Sequence, residues 1–148
     1  MTDVGERTDS KRARWSVEAT QVAGLASLGA GAVHAAAIGI HSEHPTLSRL
    51  FVAVAVAQIG VGLLTLVRGG RPLLALTALI NAGAVAAWIT TRASGIAWIE
   101  GLETAERVQF ADTACAGLGA LAVGAAAVGI LRARPRPAGV RLGLPAVA

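Results

Sequence analysis

His41, Glu43 and His44 fall close together in the chain. Imidazole and carboxylate donors of this kind hold Zn²⁺, Cu²⁺ or Fe²⁺, and the i to i+3 spacing of the two histidines can turn both rings toward one ion. A divalent metal, Zn or Cu first, is the cofactor this pattern would take. Glu100, Glu103, Glu106 and Asp112 are further carboxylates in reach of the same region if the chain folds back on itself. The plainer reading of the same residues is a solvated, pH-sensitive loop. His34 lies seven residues before His41, about 10.5 Å along a helix, which is too far for one mononuclear site to use both without a break.

A second group of polar side chains stands singly inside long apolar runs: His34, Gln58, Asn81 and Cys115. Polar groups in hydrocarbon are costly, so each is a candidate for function. Counted at about 1.5 Å per residue from the ends of the runs that adjoin the first and third connections, the outer ends, they lie at depths of about 9, 12, 13 and 7 Å and form one layer. Such a layer can be a small-ligand or proton site with His34 as its titratable member. It can equally be a set of groups that satisfy one another and fix which helices pair, at about 0.6 kcal/mol per hydrogen bond. Haem held by two histidines would need a second chain, because the other apolar runs contain no histidine. No serine, cysteine or carboxylate at membrane depth has an adjacent base, so no enzymatic activity is expected.

The elements that must position these residues follow from composition. The chain has 148 residues, 54% of them hydrophobic, and a mean hydropathy of +0.61, more apolar surface than a soluble core of that size consumes. Four runs, at about residues 20–40, 50–67, 72–90 and 111–131, match the thickness of a bilayer. The expected fold is therefore all-α: a four-helix transmembrane bundle occupying residues 17–131. Of the 13 basic residues, Arg49, Arg92 and Arg107 alone fall in the first and third connections. The rest flank the other ends, which places both termini in the cytoplasm of a bacterial inner (plasma) membrane. This sorting by side accounts for the pI near 11 without nucleic-acid binding. Residues 1–16 read as a disordered basic tail, and residues 132–148 as an Arg/Pro-rich cytoplasmic tail. A cleaved signal peptide is the competing reading of the N-terminal region. Between the third and fourth runs, Ile96, Trp98, Ile99 and Leu102 mix with three glutamates, which predicts a short interfacial helix before the fourth span. Cys115 is the single cysteine, so no intrachain disulfide can form.

Ser27, Gly31, Ala35 and Gly39 recur every four residues in the first run, and Ala116, Ala120 and Gly124 do so in the fourth. Small residues at that spacing let helix backbones approach closely. They point to tight packing of these two helices, or to a homo-oligomer or a membrane-protein partner within the lipid bilayer.

His34, Gly39-Ile40-His41, Glu43-His44, Gln58, Trp88, Arg92, Gly95-Ile96, Glu106 and Asp112 together make residues 24–131 resemble a group of small actinobacterial multi-pass integral membrane proteins of unknown function. The resemblance implies the four-span topology and a role for His34 and His44 toward the outer face. The expected function is that of a non-enzymatic accessory or assembly component. An outer-face metal-handling protein using His41, Glu43 and His44 is the alternative, and a small transporter a more remote one. Small multidrug exporters also have four spans but rely on an acidic residue within the first helix, whereas Glu18 here sits at the edge of its span.

Overall fold

A computed structural model describes residues 3–132, with side chains from residue 17 onward. Among the described residues the chain is all-helical: α1 (Asp3–Ile40), α2 (Pro45–Arg68), α3 (Arg71–Ala93) and α4 (Phe110–Arg132). Val17–Ile40 of α1 and the whole of α2, α3 and α4 are long and apolar enough to cross a membrane. At about 1.5 Å rise per residue each spans about 35 Å, slightly more than a hydrocarbon core of about 30 Å. The chain runs up and down four times. α1 packs against α2 and α4, and α3 packs against α4 and more thinly against α2. One end of the bundle carries residues 41–44 and 94–109, here called the loop end; the other carries the Gly69-Gly70 turn and Arg132, the turn end.

Proline marks two of the helix starts. Pro45 opens α2 and Pro72 is the second residue of α3, positions at which a missing N–H costs nothing because it would have no partner within the helix. His44, ahead of Pro45, takes φ −113 and ψ 88, the extended geometry that a following proline favours.

Burial is the reverse of a soluble bundle's. Ser27, Gln58, Thr65, Thr77 and Asn81 are wholly buried, whereas Val56 and Leu79 are 67% and 70% exposed. Large apolar side chains cover the outside of every helix. In water such a surface would drive aggregation, but in lipid it is the proper solvent contact, and the interior is where polar groups must find each other.

With little apolar area to bury between helices, close backbone approach carries the packing. Gly24 of α1 and Gly62 of α2 face each other at the tightest point. A methyl group on Gly62 would come 2.8 Å from the Gly24 carbonyl oxygen, and one on Gly24 would come 3.0 Å from that of Gly62. On its other side α1 meets α4 through Gly29 against Leu118 and Ala19 beside Gly129, with Leu74 of α3 filling the space next to Gly129.

Two expectations need correction. The segment that composition predicts to be a disordered tail is helical from Asp3. Once the span has nucleated a helix, adding residues such as Ala13, Arg12 and Lys11 is inexpensive, because all are good helix formers. Residues 1–2 and the Arg/Pro-rich tail from 133 lie outside the described residues. The interfacial helix is also absent: residues 94–109 form turns and extended chain. Gly95 at φ 73 and Gly101 at φ 87 impose left-handed backbone that breaks helical continuity. The loop instead folds onto the bundle. Ile99 is buried, the Glu106 amide donates to the Thr91 carbonyl at 2.8 Å, and Trp98 and Phe110, 81% and 90% exposed, project outward as interfacial anchors do.

The Gly24–Gly62 contact predicts that Gly62→Leu will lower the thermal stability of the detergent-purified protein by about 1–3 kcal/mol through overpacking. Gly60→Leu, on the same helix but with no atom within 4 Å of its added carbon, will leave the melting temperature nearly unchanged. Equal melting of the two variants in a thermal unfolding assay would refute the close-approach account.

Candidate functional site

Each helix contributes one side chain of the predicted polar layer, and the fold brings all four together. His34 Nδ1 lies 2.8 Å from Gln58 Oε1. Gln58 Nε2 donates to Asn81 Oδ1 at 3.0 Å. Asn81 Nδ2 donates to Ser27 Oγ at 3.0 Å and to the Thr77 carbonyl at 2.9 Å. Ser27 Oγ in turn donates to the Gln58 carbonyl at 2.9 Å, closing a ring over three helices. Because the Gln58 amide nitrogen is committed to Asn81, its oxygen is left to accept from His34, which assigns the Nδ1–H tautomer to the neutral imidazole. Cys115 joins from α4: its thiol donates to the Ala30 carbonyl at 3.5 Å, with Sγ also 3.5 Å from His34 Nδ1.

The network continues toward the turn end. Thr65 Oγ1 and Thr77 Oγ1 are 2.8 Å apart, and Thr77 Oγ1 donates to the Leu73 carbonyl at 2.9 Å. Toward the loop end, Arg92 pairs with Asp112 through Nη2 and Oδ2 and lies over the Trp88 ring at 5.8 Å. Both charges suit their helix ends: Arg92 is in the last turn of α3 and Asp112 in the first turn of α4, where the helix dipoles favour them.

Ser27 was assigned only a packing role by its spacing, yet it is both donor and acceptor in the ring. The threonine pair and the Arg92–Asp112 pair add contacts that spacing alone did not indicate. The four-residue stripe of α1 divides in two. Ser27 and Gly31 are buried, Gly31 with its α-carbon facing Ile59 and the Ala55 carbonyl, whereas Ala35 and Gly39 face outward. On α4 the buried line is Cys115, Gly119, Ala122, Ala126 and Gly129. Ala120 and Gly124 of the predicted stripe lie on the exposed side instead.

The two histidines proposed for a metal make separate contacts. His41 Nδ1 donates back to the Ala37 carbonyl at 2.9 Å, and its ring packs on Phe51 with centroids 4.8 Å apart. Phe51 also meets His34, at 5.6 Å. His44 packs against Gly101, with Nδ1 3.9 Å from Glu100 Oε1. Among the described residues no three His, Cys, Asp or Glu side chains gather as metal ligands. Nearby, the Gly101 amide donates to Glu103 Oε2 at 3.0 Å. Hydrogen bonds from the backbone of Glu103 and Gly101 hold the Glu103 carboxyl below its ordinary range.

The central ring can orient groups and bind helices together, but by itself it does not relay protons. Its two middle members are amides, and an amide passes a proton on only through an imidic acid, far less readily than an imidazole or a hydroxyl does. The arrangement is therefore suited to lock helices together, with His34 at its edge.

Replacing Asn81 with Leu will leave Gln58 Nε2 without its acceptor and Ser27 Oγ without its donor. A double-mutant cycle of Gln58→Leu and Asn81→Leu, read by unfolding in detergent or bicelles, will give a coupling of about 0.6–1.7 kcal/mol. Strict additivity would show that the two amides do not interact. No protein-family model, curated protein or solved structure matches this chain.

Proposed function

We propose that the chain is a non-enzymatic, multi-pass membrane protein serving as an accessory or assembly component, which packs through an outward face of α1 against another membrane protein or a second copy of itself. The observation that carries this reading is the division of the α1 stripe. Its first half is used inside the bundle, while Ala32, Ala35, Ala36 and Gly39 form an exposed face of small residues in the loop-end half of the same helix. Gly39 has nothing within 4 Å of the position its side chain would take. A face of this kind gives lipid little to grip and lets another helix backbone come close. The core supports the same reading, since Ser27, Gln58 and Asn81 spend their hydrogen bonds on one another and offer none to a substrate.

Gly39→Leu will weaken association without lowering the melting temperature, whereas Gly31→Leu, whose added carbon would meet Ile59 Cγ1 at 2.7 Å, will lower the melting temperature. Crosslinking in native membranes, followed by mass analysis of the purified complex, reads the first effect. Association unchanged by Gly39→Leu would remove the basis of the proposal. The proposed setting is the bacterial plasma membrane with both termini inside, on the strength of the arginine distribution. Single cysteines placed at Ser42 and at Gly69 in a Cys115→Ala background will be labelled by a membrane-impermeant maleimide at Ser42 alone in intact cells; the opposite pattern reverses the topology.

A further inference from the structure

On the exposed side of the α1–α4 contact an apolar groove of about 540 Å³ opens at the turn end, within the size range of ligand pockets. Val22, Ala120, Leu121, Gly124 and Val128 line it, together with Glu18 and Arg132. We propose that this groove holds one acyl chain of a phospholipid with an ethanolamine headgroup, the phosphate meeting Arg132 and the ammonium meeting Glu18.

Length and charge select this occupant. From Arg132 to Ala120 the groove follows twelve residues of α4, about 18 Å at the helical rise. That is close to one leaflet of a hydrocarbon core of about 30 Å and well short of the full thickness a partner's transmembrane helix would cover. Glu18 is the second residue of the α1 span and Arg132 the last of α4, so both lie at headgroup level when the spans cross the bilayer. Their opposite charges complement a zwitterion with phosphate and ammonium groups. A phosphatidylglycerol headgroup lacks the cation, and the quaternary ammonium of phosphatidylcholine has no N–H to donate to a carboxylate. The lack of a side chain at Gly124 and the small one at Ala120 leave room: an added carbon at Gly124 meets nothing within 4 Å.

Delipidated full-length protein in detergent, titrated with phosphatidylethanolamine, phosphatidylglycerol or phosphatidylcholine and followed by native mass spectrometry and thermal unfolding, tests the assignment. Phosphatidylethanolamine is expected to bind about two- to fivefold more tightly than the other two, the range that an ion pair near a surface supplies. Gly124→Leu, which fills the groove without a clash, will abolish that preference while the lipid-free protein keeps its melting temperature. Glu18→Gln will reduce the preference over phosphatidylcholine without blocking the groove. Equal binding of the three lipids, or a preference that survives Gly124→Leu, would overturn the proposal. So would a loss of dimer mass in Gly124→Leu, which would assign the groove to a second copy of the chain. If Gly124→Leu proves unstable, Ala120→Leu, in the lining of the same groove, reads the same outcome.

Discussion

The hydrogen bond from Gln58 to Asn81 is the constraint on which the rest of the bundle depends. Two amides in a bilayer interior have no water to bond to, and each left unsatisfied would cost more than the modest energy the pair returns. Their meeting sets the register of α2 against α3, and the bonds from Asn81 to Ser27 and from Gln58 to His34 set both against α1. The small-residue contacts then fall into place, because Gly24 and Gly62 can touch only when α1 and α2 are in that register. Packing here follows from polar pairing, the reverse of a soluble domain in which a large apolar core comes first.

Much of the architecture was legible in the sequence because lipid imposes coarse rules. Run length and hydropathy locate four helices without any knowledge of their contacts, and proline marks two of the starts. The pairing of Gln58 with Asn81 was legible too, since each stands eleven residues from the two-glycine turn, and an antiparallel hairpin brings such positions level. What the sequence hid was direction around each helix axis. With alanine, glycine and valine on every face of α1 and α4, a four-residue spacing fits several stripes equally well, and the side that faced inward on α4 was Cys115, Gly119, Ala122, Ala126 and Gly129 rather than Ala120 and Gly124.

The connection at residues 94–109 misled for a different reason. Its alternation of apolar and acidic residues fits an amphipathic helix, but Gly95 and Gly101 take backbone angles that no helix includes, and the apolar residues divide their tasks, Ile99 inward and Trp98 outward. The histidines show the same gap between type and placement. His41 and His44 have the chemistry of metal ligands, yet one caps its own helix and rests on Phe51 while the other settles on Gly101. Where a ring packs is decided by neighbours distant in sequence, which residue spacing does not encode.

Because the ring of Ser27, Gln58 and Asn81 draws on three successive helices, it also imposes an order on biogenesis. When α1 and α2 have entered the bilayer, Gln58 can already be held by His34 and Ser27 already reaches the Gln58 backbone, so the first hairpin has partners for its own polar groups. Asn81 arrives with α3 and has no partner on its own helix beyond the Thr77 carbonyl. The third helix therefore cannot rest in lipid by itself at low cost and is drawn to the waiting hairpin, and the chain assembles in the sequence in which it is made.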